Sequence, residues 1–141
     1  MACLLALPIT QAHAASRRVR LRIASDGDAM AFKPDHLTCP AGADVRLTFH
    51  HAGAIISDPH DWVLLKPGAE AAFLADADKQ ADDTIAVPPA DRDMVLAATA
   101  LCSKGRTVSV IFTAPAPGNY PFVCSVAGHG ASMRGMLTVT A

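Results

Sequence analysis

The 141-residue chain is poor in aromatic residues, which make up 5% of it, with one Trp and one Tyr. Ala, Val, Ile and Leu must therefore fill most of the interior, because 51% of the residues are hydrophobic. Charge of one sign is also lacking: 12 Lys plus Arg stand against 13 Asp plus Glu, a formal net charge of −1. The positive excess with which a non-specific nucleic-acid binder neutralises phosphates is missing, so DNA and RNA are excluded as first-choice ligands. No apolar run approaches the roughly 20 residues needed to span a bilayer, which argues against stable membrane insertion. The few cysteines, Cys3, Cys39, Cys102 and Cys124, lie far apart and show none of the close pairing of a zinc finger or a small disulfide scaffold. Ser103, Ser109, Ser125 and Ser132 sit in no G-x-S-x-G elbow, and no ordered acid–base set accompanies them, which removes hydrolysis. With neither an internal repeat nor a low-complexity linker, the length fits one domain.

The apolar stretch Cys3-Leu4-Leu5-Ala6-Leu7-Pro8-Ile9, followed by Ala12-His13-Ala14, reads as a secretory signal peptide or its remnant over residues 1–14. Cutting after Ala14 leaves a folded domain over residues 15–141 in the periplasm or another extracytoplasmic compartment. Removal of Cys3 leaves an odd number of cysteines, so at least one stays outside an intramolecular disulfide.

Beyond that point the pattern is one of short strands. Arg17, Arg18, Arg20 and Arg22 interleave with Val19, Leu21 and Ile23, the period-two alternation of a half-buried strand whose arginines form a solvated face. Val45, Leu47 and Phe49 repeat the alternation after the turn Cys39-Pro40-Ala41-Gly42. Further strands are predicted over Trp62–Leu65, Thr84–Val87, Met94–Thr99, Thr107–Phe112, Tyr120–Cys124 and Gly135–Thr140, punctuated by Pro, Gly, Asp and Ser as in an antiparallel sandwich or barrel. Gly68–Ala81, rich in Ala with Phe73 and Leu74, predicts one short surface helix in a crossover. From Glu70 through Asp93 seven acidic residues face two basic ones, an acidic region expected to lie away from the segment considered next.

That segment is Cys124-Ser125-Val126-Ala127-Gly128-His129-Gly130-Ala131-Ser132-Met133. A thiol, an imidazole and a thioether at i, i+5 and i+9 on one loop after a strand can converge on one ion, and soft sulfur with imidazole suits copper. Zinc is less favoured because Met contributes little to its sites. His60, ahead of the strand beginning at Trp62, supplies the missing donor. His60, Cys124 and His129 in one plane with a weak axial Met133 is the ligand chemistry of an electron-transfer copper centre.

These segments resemble the blue copper proteins (cupredoxins), and within them the azurin and auracyanin branch. Pro59-His60-Asp61-Trp62-Val63-Leu64 resembles the segment that carries the first histidine ligand there, and Cys124 through Met133 with Arg134-Gly135-Met136-Leu137-Thr138-Val139 resembles the copper loop and final strand. The resemblance implies an all-β Greek-key sandwich with one short helix in a crossover and one type 1 copper cycling between Cu(I) and Cu(II). It places His60, Cys124 and His129 in the ligand plane, Met133 axial, and the Pro59 carbonyl opposite. Met30, Phe32 and a buried His51 also match the family. Three positions depart from it. Asp61 stands where azurins have an Asn that braces the loop, implying an altered potential; Pro59 replaces a Gly; and Cys39 lacks its usual disulfide partner. Cys39 and Cys102 are expected at opposite ends of the sandwich, unbonded.

The implied function is to carry one electron between redox proteins, such as a c-type cytochrome and a terminal reductase or oxidase, as a monomer and not as an enzyme. His129, among small neighbours, is the expected exposed edge, within an apolar patch formed partly by Met30, Ala131 and Pro59. Trp62 is expected in the core, His50 exposed and His36 in a surface loop. Multicopper catalysis would need further histidine clusters that the chain lacks. Copper binding and delivery without routine redox cycling is the alternative.

Overall fold

The computed structural model describes residues 16–55, 58–80 and 87–141. Among the described residues nine strands and one helix follow in order: β1 (Arg18–Ser25), β2 (Phe32–Lys33), β3 (His36–Pro40), β4 (Asp44–His50), β5 (Val63–Leu65), α1 (Glu70–Ala77), β6 (Val95–Ala98), β7 (Thr107–Thr113), β8 (Gly118–Val123) and β9 (Arg134–Thr140). A 3-10 turn over Pro89–Met94 leads into β6. The signal segment 1–14 and most of the strand predicted over Thr84–Val87 lie outside the described residues.

The strands form two sheets, ordered β2-β1-β4-β7 and β3-β9-β8-β5-β6. Alternation writes this arrangement directly. On β4, Val45, Leu47 and Phe49 turn inward and are fully buried while Arg46 and His50 face out. Ile23, Phe49, Trp62, Leu64, Phe122 and Leu137 meet in the core between the sheets. Phe32 stands edge-on to Phe49 and Phe122 at centroid separations of 5.8 and 5.4 Å, so three of the few aromatics meet at one place in the core.

Two features correct the expectation of a purely antiparallel sandwich with loops at both ends. Residues 36–40, read as a loop histidine and a turn, form β3, which runs parallel to β9 with Leu37 beside Leu137 and Cys39 beside Val139. β1 likewise runs parallel to β4. Both pairings arise because the chain leaves the first sheet after β2, lays β3 on the edge of the second, and returns as β4. His36 is thus an exposed strand residue whose Nε2 lies 3.0 Å from the Thr138 hydroxyl.

The continuous apolar run Trp62–Leu65 is buried along its whole length because α1 covers the outer side of the second sheet. Phe73 and Ala77 of α1 pack with Val63, Leu65 and Val123 in a second, smaller core. The helix is shorter than the predicted Gly68–Ala81. Gly68 adopts a φ of 80°, outside the helical region, and the chain leaves the helix at Asp78.

Gly135 lies so close to the Asp35 carbonyl and the Phe122 ring that a Cβ there would collide with both. Gly135→Ala should lower stability by about 1–3 kcal/mol, the usual cost of overpacking, read as a reduced urea midpoint with an unchanged slope. An unchanged midpoint would contradict this close approach of β9 to the Asp35 backbone.

Candidate metal centre

His60 and Cys124 are brought together by strand pairing. β5 and β8 are antiparallel with Val63 beside Val123 and Leu64 beside Phe122; extending that register places Asp61 beside Ser125. His60 is pinned from the other side by an isolated bridge to Cys102: its N–H donates to the Cys102 carbonyl at 3.1 Å, and the Cys102 N–H donates back at 2.7 Å. The ligand backbone is therefore held within the sheet.

The loop 124–133 is closed by its own backbone. The Cys124 N–H donates to the Met133 carbonyl at 2.9 Å, the His129 N–H to the Val126 carbonyl at 3.0 Å, and the Met133 N–H to the His129 carbonyl at 2.8 Å. Gly128 takes a φ of +78°, a left-handed conformation that glycine adopts without strain, and this turns His129 inward.

The three donors converge and are all buried. The Nδ1 atoms of His60 and His129 lie 3.1 Å apart, and the Cys124 Sγ lies 3.9 and 3.8 Å from them. Bonds of about 2.0 Å to nitrogen and 2.3 Å to sulfur in a trigonal plane would set N···S near ~3.7 Å and N···N near ~3.5 Å, so one ion fits among these atoms after a shift of a few tenths of an ångström. Two imidazoles and one thiol, without a carboxylate among the converging atoms, suit copper. Met133, fully buried, closes the loop, and Pro59 is half-buried beside His60.

The surroundings favour the neutral forms of His60 and Cys124. Burial, with the neighbouring His51 and His129, lowers His60 to about 4. Burial pushes the Cys124 thiol well above its ordinary value, and Asp61 adds to the rise. Asp61 is itself fully buried and raised to about 6 by desolvation, against which Ser125 works by donating its N–H at 2.7 Å and its hydroxyl at 2.5 Å. The brace expected from an Asn at this position is thus supplied by Asp61, through two hydrogen bonds to the residue after the thiol.

Several residues contribute in ways the sequence did not signal. The ring of His51, buried as expected, stacks on His60 with centroids 4.3 Å apart. The Gly53 N–H donates to His51 Nδ1 at 3.2 Å, which leaves Nε2 to donate to the Asp58 carbonyl at 2.9 Å. His50 is exposed and Trp62 buried, also as expected. His129, expected to present an open edge, is only 5% exposed, because the Asp58 carboxylate lies 3.7 Å from its Nε2. The acidic helix is not remote from the site either. Asp78, at its C-terminal end, accepts the Gly128 N–H at 2.9 Å, Glu70 at its start pairs with Arg134 at 2.9 Å, and Leu74 packs where a Cβ on Gly130 would stand. α1 therefore holds the metal loop near its middle and just beyond its end. Cys39 and Cys102 are buried free thiols, with Cys102 at the metal end and Cys39 on β3.

A sandwich of these two sheets with a buried His-Cys-His triad at one rim defines a mononuclear copper protein of the blue copper type. Residues 19–140 match the family of copper binding proteins designated plastocyanin/azurin, and the chain belongs to that family. It is similar to auracyanin-A of Chloroflexus aurantiacus, with 39% identity over 122 residues covering 86% of this chain and 74% of that protein. The solved structure of auracyanin A, described as a "blue" copper protein, superposes with a TM-score of 0.79 over 87% of this chain and 99% of its own. Auracyanin-B of the same organism is 40% identical over 80% of this chain, which spans 48% of that relative. The dithionite-reduced auracyanin of Roseiflexus castenholzii is 34% identical, with a TM-score of 0.76 over 91% of this chain and 100% of that one. The triad is consistent with a type 1 copper electron-transfer site, and the chain resembles electron carriers rather than enzymes.

Because the thiol is protonated at neutral pH and must bind as thiolate, Cu(II) loading at pH 7 should release about one proton from Cys124. Calorimetric titration in buffers of different ionisation enthalpy would measure it. Cys124→Ser should remove this release; its persistence in the variant would place the proton on another group.

Proposed function

We propose that this protein shuttles single electrons between redox proteins outside the cytoplasm, with Met133 and the Pro59 carbonyl as the weak axial contacts above and below the His60, Cys124 and His129 plane. Copper bound there supplies the one-electron Cu(I)/Cu(II) couple. The observation that carries the reading is the convergence of three buried donors on a volume sized for one ion, in an arrangement held by the backbone bridge at His60 and the closed loop 124–133. Fast exchange needs little rearrangement between oxidation states, and the bridge at His60, the closed loop 124–133 and the Asp61 hydrogen bonds to Ser125 oppose movement of the donors.

The Met133 assignment is supported by its place: it is buried, and its backbone is tied to both Cys124 and His129. The Pro59 carbonyl is supported by chain position, one residue before His60. Met30, which is 43% exposed, and the exposed Ala131 suit a small contact surface for brief encounters, where turnover matters more than affinity. A c-type cytochrome and a terminal reductase or oxidase are partners of the required chemistry, and the protein acts as a monomer. Residues 1–14 support export.

The test is the visible and EPR spectrum of the protein loaded with one Cu(II) equivalent, then reduced and reoxidised. An intense thiolate-to-copper band with unusually small hyperfine splitting, lost and regained without loss of copper, is expected. A weak band with ordinary splitting would sink the site assignment, while strong retention of Cu(I) with ready transfer to an apoprotein would favour copper delivery. Met133→Leu should keep the band and raise the reduction potential, since loss of a sulfur donor disfavours Cu(II); loss of copper binding altogether would contradict a weak axial role.

A further inference from the structure

The outer face of the four-stranded sheet carries arginines that the metal centre does not use. Arg18, Arg20 and Arg22 alternate along β1, all exposed, and the exposed Arg46 of β4 is registered directly beside Arg20. Like charges placed opposite one another on adjacent strands repel. Among the described residues none of these four guanidiniums forms an ion pair. The acid on this face, Asp44, stands beside Arg18 at one end of the sheet and accepts the Ser16 hydroxyl. Next to Arg46 in the same row, on β7, Ile111 is 68% exposed. Thr48 and Ser109 fill the neighbouring row beside Arg22, joined at 3.2 Å.

Two further features bear on what this surface meets. Its side chains line two clefts along the sheet face, of about 210 and 500 Å³, spread over several residues of β1, β4 and β7. The near-zero net charge also conceals a separation: the acidic α1 packs against the second sheet, on the other side of the sandwich. A field of this kind orients the whole molecule, basic face toward an anionic surface.

We propose that the arginine face is a docking surface for an anionic lipid bilayer, with Arg18, Arg20, Arg22 and Arg46 pairing headgroup phosphates and Ile111 reaching the apolar margin beneath them. Planar guanidiniums take phosphate oxygens in pairs, and phosphates between Arg20 and Arg46 relieve their mutual repulsion. An isolated aliphatic side chain among arginines suits the boundary between headgroup and acyl chain. The contact is peripheral, made by a face, whereas the metal centre lies at the rim beyond the His50 end of β4. Docking would leave that rim open to redox partners moving along the same surface.

Co-sedimentation of the copper-loaded full chain with phosphatidylglycerol vesicles, and with phosphatidylcholine vesicles as control, tests this. Binding to the first and not the second, lost at high salt, is expected. Arg20→Glu with Arg46→Glu should reduce partitioning about tenfold or more, because each surface arginine contributes roughly 1 kcal/mol at an anionic membrane. The thermal midpoint and the visible band should stay unchanged. Arg20→Gln with Arg46→Gln, which removes repulsion without adding acids, keeps the test valid if charge reversal unfolds the protein. Equal binding by parent and neutralised variant, equal binding to neutral vesicles, or no binding to phosphatidylglycerol at low salt would each overturn the proposal. Retention by polyglutamate but not by vesicles would assign the face to an acidic protein partner instead, and displacement from vesicles by inorganic phosphate beyond that by chloride at equal ionic strength would assign it to a free anion.

Discussion

The pairing of β5 with β8 is the constraint from which the metal centre follows. His60 and Cys124 are 64 residues apart, and the chain between them includes α1, a 3-10 turn and four strands. Their approach would carry a loop-closure cost on its own. It is offset because the two strands are buried on both faces, by the core between the sheets and by α1 outside, so the apolar packing that makes the sandwich stable also sets the register at its rim. With Val63 fixed beside Val123, Asp61 reaches Ser125 and His60 reaches Cys124 with little freedom left to either.

That rim is electrically frugal. Burial favours the neutral forms of the His60 imidazole and the Cys124 thiol, and Asp61 is the acidic group buried beside them. Its position between the backbone N–H and the hydroxyl of Ser125 satisfies its acceptors while locking the residue next to the thiol. A metal ion then completes a site whose polar atoms already point at one another, which is the arrangement that keeps the geometry similar with one electron more or fewer.

The crossover helix gives the clearest case of a single element with two roles. Its apolar residues, Phe73 and Ala77, complete the outer core, while Glu70, Leu74 and Asp78 reach the loop 124–133 and the start of β9. Acidity that looks like simple solvation along the chain is partly structural here, because the Asp78 carboxylate accepts a backbone N–H that the tight turn at Gly128 leaves without a partner in the loop. The same placement puts negative charge on one side of the sandwich and leaves the arginines of β1 and β4 on the other.

Much of this was written locally. Alternation over residues 17–23 and 45–49 announced strands with one buried face, and the Cys, His, Met spacing with an upstream His named a copper site, because ligand identity is a property of side-chain chemistry and a single loop keeps its donors within reach of one ion. What local patterns could not carry were the contacts made across the fold. β3 was hidden in a stretch whose Pro and Gly look like a turn, since its strand character comes from lying along β9. The cover that Asp58 places over His129, the stacking of His51 on His60 and the grip of α1 on the metal loop depend on which segments the two sheets bring to the same rim. The sequence by itself therefore determined the kind of ion, its donors and the sandwich class. Only the tertiary structure decided how exposed the site is and what braces it, because those properties belong to neighbours in space and leave no period or spacing along the chain.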